Sequence, residues 1–471
     1  MNAKVGLITF GDHREDMWQK VFGESTMKYH GEIIECLKQL DIDLKFYQDA
    51  ARTREQINEQ ADGLIAQGVD ILIGHTPCWT SPNLVVQGVQ RVGKATVMIG
   101  NRDMSTHGCV GLLGACGALS QIGYDHKRMR LDYDAEVFKK KLIPYFTALK
   151  VKAELAKSVF GLFGGRSIGI DTATFDPMGW RKQFGIDSEH IDQSEILMRA
   201  KKVDPDRIQK MIQWIHTNAK EVIYSEKLTK EKFEFQIGCY LATKDICKEM
   251  GLDFIAIKCM PDLSTYAVPQ CMTATFMADT YDGEEGQKES IPMACEADAD
   301  GALTQEILKI ISGGTPTFFA DVSHIDDDQK IIYCVNCGGI CAHYADRSCD
   351  ACQNLNCMTI KQSIRPGGGA ISCFTAKEGP MQLARLYRVD GQYKMAILPC
   401  EAIRPTEEMV DAFIKARGIH QLPVLYAKMT CEVEDFINEY GSNHISGVAG
   451  EYTDQLVAVC QALGIEPVVF K

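Results

Sequence analysis

The sequence has no apolar run long enough to cross a bilayer. Its first hydrophobic stretch, residues 5–10, is far too short for a membrane helix and leads directly into folded-looking sequence. No export signal is visible there, so a cytoplasmic protein without a membrane partner is expected. Positive charge is also in deficit: 50 Lys and Arg face 63 Asp and Glu, a formal net charge of −13. A general nucleic-acid binder needs a basic face to displace phosphate counterions, and that class is set aside. An anionic small molecule stays admissible, because a few arginines in one pocket outweigh distant surface charge. The first strand-like run is followed by no G-x-G-x-x-G, since Gly6 to Gly11 does not supply one, which argues against a dinucleotide-dependent oxidoreductase. Internal repeats and low-complexity linkers are missing too, so the whole chain should fold.

What is present fits an α/β protein of several domains. A chain of 471 residues exceeds what one apolar core usually organises. In residues 1–157, short β-branched runs near 5–10, 44–47, 71–74 and 95–100 alternate with amphipathic stretches, the pattern of βαβ units around a parallel sheet. The pattern restarts at residue 158 and continues to 328, giving a second Rossmann-like α/β domain. From 329 to 471 the texture changes to short strands with glycine turns, and Asp390-Gly391 between two such runs signals a hairpin. A mainly antiparallel, barrel-like β domain is expected there.

Three residues stand out for chemistry. Glu296 opens a helix whose first turn also carries Asp298 and Asp300, and the latter two read equally well as caps that satisfy free amides. Asp321 follows the apolar run Thr317-Phe318-Phe319-Ala320 and is expected where a buried parallel strand meets its loop. His444 lies in the polar, glycine-flanked stretch Gly441-Ser442-Asn443-His444. Two carboxylates and one imidazole leave coordination positions open on Mn²⁺ or Mg²⁺, which favour oxygen-rich sites. The loop from Gly164 to Gly169 could cradle a phosphate, although a tight turn packed on the sheet explains it more simply.

At these residues the sequence resembles the L-fucose isomerase family, distantly similar to L-arabinose isomerases. The resemblance rests on Phe163-Gly164-Gly165-Arg166-Ser167, the stretch from Phe184 to Asp192, Lys258-Cys259-Met260-Pro261-Asp262-Leu263, the acidic helix start at Glu296, Phe319-Ala320-Asp321-Val322, Ala384-Arg385-Leu386 and Asn443-His444. It implies two α/β domains and a C-terminal barrel, with Glu296 and Asp321 in the second domain and His444 in the third. It further implies a trimer or hexamer with active sites at subunit interfaces, and Glu296, Asp321 and His444 as ligands of Mn²⁺, or of Mg²⁺ or Co²⁺. By the same resemblance Arg14 and Trp79 reach a neighbour's sugar pocket, and Asn443 bonds the substrate. The activity implied is aldose–ketose isomerisation of a fucose- or arabinose-type sugar, or of an anionic deoxyhexose. Glu296 and Asp321 would act as base and acid around an ene-diol, with a metal-assisted hydride shift as the rival mechanism. The alternative from another class is a non-catalytic sugar-binding α/β protein.

The 19 cysteines, in a chain expected in a reducing cytoplasm, read as free thiols or metal ligands. Six of them follow the spacing C-x2-C-x3-C-x7-C-x2-C-x4-C from Cys334 to Cys357. Cys334, Cys337, Cys349 and Cys352 supply two C-x2-C pairs that could grip a structural Zn²⁺, against the alternative of reduced thiols packed among strands.

Overall fold

The computed structural model describes residues 4–417 and 422–471. The chain forms two compact units, Met1–Lys150 and Val151–Lys471. The first is a five-stranded, wholly parallel sheet. Its order runs Asp43–Phe46, Lys4–Thr9, Ile71–His75, Ala95–Asn101, His126–Leu131. The Ile71–His75 strand is buried at every position because helices cover both faces of the sheet. Strand order reverses between Lys4–Thr9 and Ile71–His75, and in open α/β sheets the crevice beyond the strand ends at such a reversal is where ligands sit.

The second unit holds a four-stranded parallel sheet and a barrel. The sheet orders Met293–Cys295, Phe254–Ile257, Val159–Phe163 and Asp187–Ile191. Six antiparallel strands close on themselves in the order Gly379–Val389, His444–Ala449, Thr317–Asp326, Ile331–Val335, Val424–Met429, Gln392–Ala402, and Glu466–Val469 adds in parallel outside the ring. Closure leaves the ring without a free edge. Sheet and barrel share one continuous apolar core.

The helix Ala299–Ile311 joins them. It packs on barrel strands and on the parallel sheet alike, and nearly every residue along it is buried. Its polar groups are therefore bonded across the seam: Thr304 Oγ1 accepts from the Leu386 amide at 2.9 Å, and Ser446 Oγ donates to the Gly301 carbonyl at 3.0 Å.

Local chemistry explains the sharp turns. Asp390 and Gly391 both take positive φ, 49° and 74°, between the paired residues Val389 and Gln392, the geometry a two-residue hairpin needs to match strand twist. Gly164 sits at φ 90°, and a Cβ there would come within 2.4 Å of Gln193 Oε1, so this loop is a tight turn against the sheet.

One expectation about strand type is corrected. Asp321 does not end a parallel strand. Its strand runs on to Asp326 and pairs antiparallel with both neighbours in the barrel.

Candidate metal centre

Glu296 is placed by an unusual turn. The Met293–Cys295 strand ends one residue before it, and Asp298 caps the following helix by accepting from the Gly301 amide at 2.9 Å. Between strand and cap, Glu296 and Ala297 both adopt φ 58°, a left-handed conformation that costs a non-glycine residue roughly 1–2 kcal/mol. The Ala297 amide bonds the Ile257 carbonyl at 3.0 Å, which anchors the turn on the neighbouring strand. Glu296 is almost wholly buried.

Asp321 and His444 are brought together by barrel register. They are cross-strand partners, which places their side chains side by side. The register slips between Val322 and His324, immediately past Asp321, and such a bulge bends the strand and re-aims its side chains.

His444 is the hub. Its Nε2 lies 3.0 Å from Glu296 Oε2 and 3.4 Å from Asp321 Oδ1, while Nδ1 lies 2.7 Å from Asp298 Oδ2. The ring edge packs on Phe319, with centroids 4.7 Å apart. Asp298 also accepts from Arg385 Nη1 at 2.6 Å, and Arg385 Nη2 donates to the Thr172 carbonyl at 2.9 Å. Burial alone would raise the Asp298 carboxyl, but the charges of Arg385 and His444 outweigh it and hold the group at about 2. Asp298 is therefore a carboxylate at neutral pH. For His444, burial disfavours the imidazolium, yet hydrogen bonds to Asp298, Asp321 and Glu296 outweigh it and raise the ring well above its ordinary value.

Among the described residues, Glu296, Asp321 and His444 are the one group of three or more His, Cys, Asp or Glu side chains whose donor atoms converge, all within 4.8 Å of one another. The donor set fits a divalent cation. Asp298 fixes His444 through Nδ1 and leaves Nε2 facing the two carboxylates, the carboxylate–histidine arrangement that orients metal-binding imidazoles.

Asp300, the other acid of the helix start, stays out of the cluster. Burial pushes it up to about 7, and its neighbours are Arg388 at 3.2 Å and the Tyr393 hydroxyl at 3.2 Å.

Asn443 adjoins His444 with an exposed side chain, and its carbonyl accepts from the Val322 amide at 2.8 Å. Arg14 and Trp79 belong to the first unit, each in the loop beyond one of the two strands that flank the order reversal. Arg14 is half exposed and pairs with the buried Asp12 at 2.6 Å, and Trp79 is half-buried.

The proposed zinc set is not brought together: no three of Cys334, Cys337, Cys349 and Cys352 converge. Cys334 is buried in the barrel wall and Cys349 is exposed, while Cys337 turns to Cys271 and Cys295. The residue that sequence reasoning left without a role is Arg385. A lone arginine in the apolar run from Leu383 to Leu386 was the available signal.

Comparison with known proteins follows the same lines. Residues 310–471 match the family profile described as L-fucose isomerase, C-terminal domain. This segment is similar to that family. The matched segment contains Asp321, His444 and all six strands of the closed barrel. Curated relatives are sulfoquinovose isomerases. The protein of that name from Clostridium sp. (strain MSTE9) is 24% identical over 241 residues, 50% of this chain and 48% of its own length. The chain thus spans about half the length of that relative. The one from Priestia aryabhattai is 21% identical over 340 residues, 72% of this chain and 70% of its own. Among solved structures, an ABC transporter periplasmic solute binding protein from Actinobacillus succinogenes 130z with bound D-allose aligns over 56% of this chain and 80% of its own, at 14% identity and a TM-score of 0.17. Overlap that low carries no argument for the sugar-binding alternative.

Proposed function

We propose that this chain is a metal-dependent aldose–ketose isomerase whose substrate is a sulfonated 6-deoxyaldohexose. The observation that carries the reading is the convergence of Glu296, Asp321 and His444 where the parallel sheet meets the barrel. The name shared by the relatives supplies the substrate class.

A divalent cation, Mn²⁺ in this reading, would be held by Glu296, Asp321 and His444 Nε2, and when bound it supplies Lewis-acid stabilisation of charge on the sugar's neighbouring oxygens. Proton movement falls to the chain's own groups. A carbonyl shift from C1 to C2 removes the C2 proton and returns one to C1 through an ene-diol. Glu296 is buried and Asp321 half exposed, so the two carboxylates meet the reacting carbons from different surroundings and take the parts of base and acid. Asp298 holds the His444 ring in one tautomer, and Arg385 keeps Asp298 ionised. Asn443 is the substrate contact beside His444. Arg14 and Trp79, on the ligand-binding edge of the first unit's sheet, would complete the pocket of a neighbouring subunit in a homo-oligomer, with cytoplasmic residence as the matching location.

The test is an isomerisation assay over a sulfonated 6-deoxyglucose, L-fucose and D-arabinose, with chelator-treated protein and protein reloaded with Mn²⁺, Mg²⁺ or Co²⁺. Turnover restored by metal and highest on the sulfonated sugar is expected. Undiminished turnover without metal, or sugar binding without turnover under every metal, overturns the reading. Solvent deuterium in the product of a run in D₂O is the outcome for the ene-diol route, and complete retention of the original hydrogen is the outcome for a hydride shift.

A further inference from the structure

We infer that Tyr133, His75, Thr9 and His30 form an acid-operated latch, which holds two loops at the carboxyl edge of the first unit's sheet while both imidazoles are neutral. The four side chains make one continuous run of hydrogen bonds. The Tyr133 hydroxyl lies 2.5 Å from His75 Nε2, and His75 Nδ1 lies 2.9 Å from Thr9 Oγ1. Thr9 Oγ1 lies 2.8 Å from His30 Nδ1, and His30 Nε2 lies 3.0 Å from the Tyr47 carbonyl. Thr9, His30 and His75 are buried.

The carbonyl at one end fixes every hydrogen in the run. A carbonyl accepts and never donates, so His30 carries its hydrogen on Nε2 and, as a neutral ring, accepts through Nδ1. The single Thr9 hydroxyl hydrogen is therefore given to His30, and Thr9 Oγ1 accepts from His75 Nδ1–H. His75 Nε2 then accepts from the Tyr133 hydroxyl. A further proton on either ring sets two donors face to face, and Thr9 or Tyr133 must turn its hydroxyl hydrogen away from its acceptor inside the fold.

The surroundings do not offset a charge there. Tyr29, Glu32 and Cys36 face the run from the helix Gly23–Lys38, Asp49 from beyond the strand Asp43–Phe46, Cys78 from beyond Ile71–His75, and Asp103 from beyond Ala95–Asn101. Among the described residues no carboxylate bonds either ring, and Asp103 accepts from the Tyr29 hydroxyl instead. Burial holds His30 below its ordinary value, and burial together with His30 holds His75 well below. Both rings therefore favour the fold above the free imidazole value of about 6.5, and that contribution is lost as pH falls.

Thr9 and His75 are the last residues of neighbouring parallel strands and are paired in register. The loop after Thr9 carries Arg14, and the loop after His75 carries Trp79. Thr80 Oγ1 ties the two by donating to the Gly11 carbonyl at 3.2 Å, and Ser81 Oγ lies 2.9 Å from the exposed His13 Nδ1. Protonation beneath the loops thus loosens both together. Withdrawal of Arg14 and Trp79 from a neighbour's pocket would follow on the functional reading above, whereas the latch does not depend on it.

Hydrogen–deuterium exchange of the whole protein between pH 8 and pH 5, corrected for the intrinsic pH dependence of exchange, tests this. Opening of residues 4–14 and 71–81, relative to the helix Ala299–Ile311, should increase as pH falls below about 6.5 and approach about a hundredfold per pH unit, the mark of two protons taken up. His75→Gln or His30→Gln should each lower that limit to about tenfold. A flat profile in the parent, or an unchanged slope in both variants, overturns the inference. Histidine-selective nitrogen-15 NMR of the parent gives a second check that needs no variant to fold. Opposite neutral tautomers for His30 and His75, still uncharged at pH 5.5, are expected, and either ring titrating near its free value in the folded protein overturns the inference. A working latch in a protein that turns over no sugar sinks the functional reading alone. An active isomerase with a flat exchange profile sinks this inference alone.

Discussion

His444 stands directly across an antiparallel strand pair from Asp321, with one ring nitrogen 3.4 Å from that carboxylate and the other 2.7 Å from Asp298. One imidazole therefore links the barrel wall to the first turn of the helix that joins barrel and sheet.

Loss of any donor should remove the cation. On the proposed reading excess Mn²⁺ raises the parent's thermal midpoint, a stabilisation of about 2.7 kcal/mol when the metal stands at a hundred times its dissociation constant, and Glu296→Gln, Asp321→Asn and His444→Gln are each expected to abolish that rise. Turnover should fall at least about a thousandfold in each. Differential scanning fluorimetry with and without Mn²⁺ reads the first effect independently of the second.

Neighbouring acids of one helix start should behave oppositely. Asp298→Asn leaves Arg385 buried against a neutral group and His444 without its carboxylate, at a cost of about 3–5 kcal/mol. Metal affinity should drop about 10–100-fold as well. Asp300 is raised by burial to about 7, well above its unfolded value, so its carboxyl disfavours the fold at neutral pH and Asp300→Asn should stabilise the protein at pH 7 by about 2–4 kcal/mol. Urea unfolding of the two variants at pH 7 separates them.

Glu306 should make the fold less stable in alkali. Burial raises its carboxyl to about 7, against the attraction of Lys309 at 2.6 Å. Because the folded value lies above the unfolded one, the contribution is complete in acid and is lost as pH rises through 7. Glu306→Gln should therefore be more stable than the parent at pH 8, by about 2 kcal/mol, and show no such gain at pH 4. Paired unfolding curves at the two pH values check the sign.

Gly391→Ala should weaken the barrel hairpin. The residue sits at φ 74° in a two-residue turn, so a Cβ adds about 1–2 kcal/mol of strain. The loss should appear as a lower unfolding midpoint with Mn²⁺ affinity unchanged.

Much of this architecture could be read from residues alone, and the exceptions have physical causes. Runs such as Ile71-Leu72-Ile73 mark strands buried on both faces, and Asp390-Gly391 marks its hairpin because few other pairs tolerate two positive φ values. The same logic misassigned the Asp321 strand. Thr317 to Ala320 are all buried, because the barrel interior takes one face and packed elements cover the other, so the run imitates a parallel strand. The three donors were legible as residue types. The two left-handed residues that aim Glu296 were not, since neither glutamate nor alanine advertises that conformation. Arg385 and the contacts of Cys337 escaped because their partners lie far away in sequence: Asp298 is 87 positions from Arg385. Local spacing favoured the nearby C-x2-C pairs, while tertiary packing chose Cys271 and Cys295 instead.

Glu296 and His444 are 148 positions apart, and they meet only through strands whose mates are themselves distant. A chain caught with its ring of strands still open would offer a cation a scattered pair of carboxylates and no imidazole between them. Tight ion capture during refolding would thus arrive late and all at once, serving as a timestamp for the moment the last staves of the cask lock together.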